Sequence, residues 1–258
     1  MKQIKNIVLI LGFILNSFPL DAQEKIPQKV LFVGNSYTYF WNLPQQVASM
    51  AQSQAIALTT RQSTSGGTNL GQHWRGERKL LSLDKIQQGD YDAVVLQDHS
   101  KRAIDYPDSL LHYGQLLGKE IQAKGARIFL YMTWAREFDP YMQTEITNKY
   151  TELARKINAT LVPVGPAWAR ARELRPGFPL YDPDRSHPSA LGTYLTACVF
   201  YGIITLRSPV GLPHRLMTKD ADGEKLYLNI QSPEDALFCQ KVAREILEQQ
   251  SGLSLKDE

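Results

Sequence analysis

Five short apolar runs recur along the chain: KVLFVG at 29–34, AIALTTRQS at 55–63, YDAVVLQ at 91–97, ARIFLYMTW at 126–134 and ATLVPVG at 159–165. They are rich in Val, Ile, Leu and Phe and mostly continuous rather than alternating, the pattern of strands buried on both faces. Between them, apolar residues return every three or four positions. Leu43, Val47 and Met50 share one stripe of 43–54, the segment 109–125 closes on Gly125, and Ile146, Tyr150, Leu153 and Ile157 line one face of 144–158; these spacings predict helices. Strand and helix in alternation predict an α/β protein, a three-layer α/β/α sandwich around a five-stranded, mainly parallel sheet. Two further helices are expected, over 188–205 beginning at Pro188 and from Ser232-Pro233-Glu234 to about Gln249. The stretch 207–231 is rich in turn residues and holds one short strand pattern, LYLNI. With no repeat, low-complexity tract or linker, residues 23–258 read as a single domain.

Composition narrows the classes. The 258 residues are 43% hydrophobic and 21% charged, enough for a sizeable core. Basic and acidic residues nearly balance, 29 against 26, and no Lys/Arg block forms an electrostatic footprint, so nucleic acid is not an expected partner. Lys2 and Lys5 precede the 14-residue run IVLILGFILNSFPL, which contains Asn16 and Pro19, and LDA at 20–22 offers a cleavage site. That is the form of a signal peptide over 1–22, and the run is shorter than the roughly 20 apolar residues a bilayer-spanning helix needs. No cysteine follows it to take a lipid, so a periplasmic or secreted protein without membrane insertion is expected. Cys198 and Cys239, both within helical patterns, read as buried free thiols, since a fold with a large core needs no staple.

In a parallel sheet, ligands sit outside the carboxyl ends of the strands, so the loops after each strand are where chemistry is sought. Here those loops begin GNSYT, TSGGTN, QDHS, TWARE and VGPAW. Ser36 stands two residues past the first strand, where a nucleophilic hydroxyl would be presented among backbone N–H groups, although Gly-Asn-Ser is also ordinary turn chemistry. Among five histidines (His73, His99, His112, His187 and His214), His187 lies in YDPDRSHPSALG, three residues after Asp184. At that spacing the carboxylate can hold imidazole Nδ1 and turn Nε2 toward a neighbouring hydroxyl.

These residues resemble the SGNH (GDSL-like) hydrolase superfamily, in a divergent exported branch, over Val30 to Leu206. Gly34-Asn35-Ser36 resembles its first block, Ser65-Gly66-Gly67-Thr68 its second and Asp184-x-x-His187 its fifth. The resemblance implies a flavodoxin-like sheet, Ser36 as nucleophile with His187 and Asp184 completing a triad, and the N–H groups of Ser36 and Gly66 in the oxyanion hole. It implies no metal and no cofactor. The third block departs from the family's Gly-x-Asn-Asp and reads Leu96-Gln97-Asp98-His99-Ser100. Gln97 keeps an amide donor at the strand end and is the first choice for the third oxyanion donor, whereas a gapless match puts His99 in that place.

The implied activity is that of a carboxylic-ester hydrolase removing acetyl or other small acyl groups from a carbohydrate, with a small-molecule or glycan ester as its partner. Tyr37 and Trp134 are expected in the substrate pocket, with Tyr39, Phe40 and Trp41 crowding the same loop and Trp168 after the fifth strand. Arg102 and Arg136 could meet an anionic group, although solvated surface is the default reading for both. Two other functions compete. Asp98, His99, Asp184 and His187 could serve a metal-assisted phosphoesterase, although their spacing matches no recognised metal pattern. A non-catalytic carbohydrate-binding protein would keep the fold without turnover.

Overall fold

The computed structural model describes residues 26–251 and Leu255, and the signal-peptide segment 1–22 lies outside them. In chain order the elements are β1 (Lys29–Gly34), α1 (Ser36–Tyr39), α2 (Leu43–Ser53), β2 (Thr59–Thr64), α3 (Leu70–Trp74), α4 (Ser82–Gln88) and β3 (Ala93–Leu96). There follow α5 (Arg102–Asp105), α6 (Pro107–Ala123), β4 (Arg127–Tyr131), α7 (Met142–Lys156), β5 (Thr160–Val162) and α8 (Val164–Leu174). The last are α9 (Ala190–Thr205), β6 (Arg215–Lys219), β7 (Lys225–Ile230) and α10 (Pro233–Ser251).

The five predicted strands form one sheet in the order β2-β1-β3-β4-β5, parallel at every pairing. Alternate side chains of the central strands feed two cores. Val30, Phe32, Val95, Phe129 and Tyr131 face α2 and α9, while Leu31, Val33, Val94, Leu96, Ile128 and Leu130 face α6 and α7. This two-sided burial is why β1, β3 and β4 read as unbroken apolar runs. The edge strand β2, TTRQST, is more polar because only part of it is covered. Helix α9 is buried along nearly its whole length, which accounts for its apolar character all round. Among the described residues no helix is long and apolar enough to cross a membrane.

Several local features differ from the sequence expectation, and β2 begins at Thr59, after the apolar residues 55–58 of the expected run. Strand β5 stops at Val162 and the VGPAW segment opens α8, whose first turn tolerates Pro166. Helix α9 starts at Ala190, not Pro188: Ser189 caps it by accepting from the Gly192 N–H (3.0 Å), and Pro188 forms a bridge with Tyr181. The turn-rich stretch contains an antiparallel hairpin, β6 with β7, rather than a single strand. Asn229 of β7 donates to Gln46 Oε1 (3.0 Å) in α2 and to the Ala190 carbonyl (2.8 Å), so the hairpin ties α2 to the start of α9. Cys198 and Cys239 are both buried free thiols, and burial pushes both pKa values up.

Candidate active site

The strand order reverses between β1 and β3, so the loops leaving their carboxyl ends diverge and open a crevice. β1 ends at Gly34, where only glycine fits: a Cβ there would lie 2.4 Å from Thr38 Oγ1 and 2.5 Å from Gln97 Oε1. Asn35 then caps α1, its Oδ1 accepting from the Tyr37 N–H (3.1 Å) and its Nδ2 donating to the Thr68 carbonyl (2.9 Å). Ser36 is thereby held at the first position of α1, 8% exposed, with Oγ 2.8 Å from His187 Nε2.

The histidine loop is a short closed segment framed by the Tyr181–Pro188 bridge. Asp184 Oδ1 accepts from the backbone N–H of Ser186 (3.0 Å) and of His187 (2.9 Å), and its Oδ2 accepts from His187 Nδ1. Nδ1–H is therefore committed to the carboxylate, leaving Nε2 to accept from the serine hydroxyl. Burial pushes the Asp184 carboxyl up, but hydrogen bonds from His187 and Ser186 outweigh it and hold the group below its usual range. Three contacts fix the loop from outside: Tyr37 OH to Ser186 Oγ (2.6 Å), Trp134 Nε1–H to the Ser186 carbonyl (3.0 Å) and Trp41 Nε1–H to the Pro188 carbonyl (3.0 Å). Phe40 stacks on the imidazole at 4.5 Å between ring centroids.

Trp134, expected in the substrate pocket, is 1% exposed and does not line the cleft around Ser36. It is sandwiched between Tyr37 (4.6 Å between centroids) and Trp168 (3.8 Å), so it supports the histidine loop from behind. Tyr37 does line the cleft, with burial raising its phenol pKa so that it stays neutral.

Gln97 is also turned away from the cleft. It is fully buried, its Oε1 accepts from the Asn35 N–H (2.9 Å) and the Thr38 hydroxyl (2.9 Å), and its Nε2 donates to the Asp98 carbonyl. Both ends of the amide are thus committed, the oxygen to the turn that carries Ser36 and the nitrogen to its own loop. His99 instead lines the cleft. Its Nδ1 accepts from the Lys101 N–H (3.4 Å), which places the ring proton on Nε2. Burial, then Arg102 and Arg136, lower its pKa, so it is a neutral donor at neutral pH. Asp98 between them is 1% exposed, accepting from the Leu70 (3.0 Å) and His99 (2.7 Å) N–H groups, and burial raises its pKa to about 6. Committed in this way, Asp98 does not join His99, Asp184 and His187 in a shared ligand set; among the described residues no three His, Cys, Asp or Glu side chains converge as metal ligands.

One supporting residue was not foreseen. His73 is fully buried beneath the site, donating from Nε2 to the Gly34 carbonyl (3.0 Å), with Thr68 Oγ1 at 3.2 Å and Nδ1 at 2.6 Å from Ser82 Oγ. It bonds the end of β1 to the Ser65–Thr68 turn, and burial lowers its pKa to about 4. The signal lay in its position three residues after Leu70 on the buried side of α3. The cleft itself holds about 370 Å³ and is bounded by Ser36, Tyr39, Phe40, Gly66, His99 and His187, among others.

No protein-family model matches the chain, and no curated protein matches it. Solved structures do. A DUF4886 family protein from Bacteroides uniformis superposes with a TM-score of 0.69 at 19% identity, over 85% of this chain and 94% of that one. A candidate SGNH hydrolase from Slackia heliotrinireducens gives 0.59 at 22% identity, over 67% of this chain and 97% of the other. The acetylxylan esterase Axe2 from Geobacillus stearothermophilus gives 0.57 at 17% identity, over 69% and 94%. The parallel sheet with helices on both sides is thus the SGNH-hydrolase fold.

Proposed function

We propose that this protein is a serine-dependent carboxylic-ester hydrolase that removes a small acyl group from a carbohydrate. The observation that carries it is the unbroken hydrogen-bond chain from Ser36 Oγ through His187 to Asp184. His187 Nε2 takes the Ser36 proton as Oγ attacks the ester carbonyl; Asp184 fixes the imidazole tautomer and stabilises its cation. The backbone N–H groups of Ser36 and Gly66 and the Nε2–H of His99 receive the developing oxyanion. His187 then protonates the leaving alcohol, and a water activated by the same base releases the acyl group from Ser36. A small acyl group suits a cleft narrowed by Tyr37, Tyr39 and Phe40, and two of the structural neighbours are acetylxylan esterases. The charged, apolar N-terminal run supports an exported protein acting outside the cytoplasm.

Hydrolysis of 4-nitrophenyl acetate and of acetylated glycans tests this directly. Ser36→Ala is expected to lower kcat by about 10³-fold or more, and an organophosphonate should label the wild type once, at Ser36. Equal rates for wild type and Ser36→Ala on every ester would end the proposal.

A further inference from the structure

The sequence offers Arg136 either an anionic contact or, by default, solvated surface; the structure sets it in the wall of the cleft that holds Ser36, together with Ser100 and Ser186. Arg136 as a residue is half-buried. Nη2 donates to Ser100 Oγ (3.3 Å), and Nε is buried without a hydrogen-bond partner. Among the described residues no carboxylate pairs with it. The adjacent Glu137 pairs with Arg185 instead, at 3.0 Å, and no Asp or Glu lines the cleft. Arg102, the other cation near the third loop, likewise has a buried Nε without a hydrogen-bond partner, but its guanidinium lies 4.7 Å over the Tyr106 ring and it does not line the cleft.

A guanidinium offers five donors in a planar fork matched to a carboxylate, and desolvating it without an anion is unfavourable. In Arg136 the buried Nε has no acceptor and Nη2 has only the Ser100 hydroxyl, while the residue lines the same cleft as Ser36 and His187. We infer that Arg136 binds an anionic group on the substrate, so that the preferred ester carries a carboxylate or a similar acid within reach of Ser36. This inference rests on the proposed esterase activity and specifies its substrate class. The acid can stand on either side of the scissile bond, on the acyl group or on the alcohol.

Two matched pairs of esters separate these sources. One compares 4-nitrophenyl hemisuccinate with 4-nitrophenyl butyrate, and the other an acetylated methyl glucuronide with the acetylated methyl glucoside. The wild type should favour the acid-bearing member of one pair by about 10- to 100-fold in kcat/KM. Arg136→Gln should reduce that preference about ten-fold or more, chiefly through KM, and Arg136→Lys, which keeps the charge but not the fork, should fall between. Because the preference is a ratio within each protein, loss of folded enzyme cancels. Ser36-dependent hydrolysis without acid preference in either pair, or a preference unchanged in Arg136→Gln, overturns this inference and leaves the esterase standing. Absence of any Ser36-dependent hydrolysis overturns both.

Discussion

Gln97 braces the turn that carries Ser36 and His99 lines the cleft; on the proposed mechanism they divide two tasks that a single asparagine is expected to combine, bracing that turn and facing the oxyanion. Their substitutions should separate accordingly. His99→Ala should lower kcat by about 10²- to 10³-fold, the worth of one oxyanion donor, with little change in KM for a neutral ester. Gln97→Ala leaves the Asn35 N–H and Thr38 hydroxyl without their acceptor, and should lower unfolding free energy by about 1–3 kcal/mol in urea titrations. At this scale Ser36, Asp184 and His187 were legible because their geometry is local: a hydroxyl just past a strand end, and a carboxylate three residues before an imidazole. The choice between Gln97 and His99 was not, because β3 stops at Leu96 and the alternation of side chains no longer tells which way each residue points. Trp134 was misplaced for a related reason. A large aromatic after a strand can face substrate or its own loop, and only the partners on its two faces decide.

At the scale of elements, the nucleophile depends on how closely β1, α1 and the third loop approach one another. Gly34→Ala would drive a methyl into Thr38 and Gln97, an overpacking expected to cost about 1–3 kcal/mol and to depress kcat by shifting Ser36. Gly67→Ala is a useful contrast. Its φ of +68° is strained for alanine but nothing lies within 4 Å of the added methyl, so the loss should be nearer 1 kcal/mol. Urea unfolding of the two variants alongside ester turnover checks the difference. The five strands and the long helices α2, α6, α7, α9 and α10 were readable from periodicity. Helix α8 was hidden because its first turn, Val164-Gly165-Pro166, carries the residues of a loop. Strand β6 was hidden because only Leu216 among its five residues is buried, too few for a pattern.

For the whole molecule, two buried groups beneath the site give stability opposite dependences on pH. The pKa of His73 is lowered from 6.5 to about 4, so the unfolded chain binds its proton first; this contribution is complete above 6.5 and is lost as pH falls toward 4. The pKa of Asp98 is raised from 3.8 to about 6, so the folded chain binds its proton first; this contribution is complete below 3.8 and is lost as pH rises through 6. The two oppose each other between about pH 4 and 6. Asp98→Asn should therefore steepen the fall in urea midpoint on acidification over that window, and His73→Asn should flatten or reverse it. Identical profiles for the two variants would contradict the assignment.

The hydroxyl of Ser36 and the imidazole that touches it are 151 residues apart in the chain. A ribosome delivers the serine long before the histidine, so on the proposed mechanism a chain ending short of Asp184 holds Ser36 without the imidazole that would activate it. On that mechanism reactivity waits until the segment carrying Asp184 and His187 has been made and placed beside Ser36.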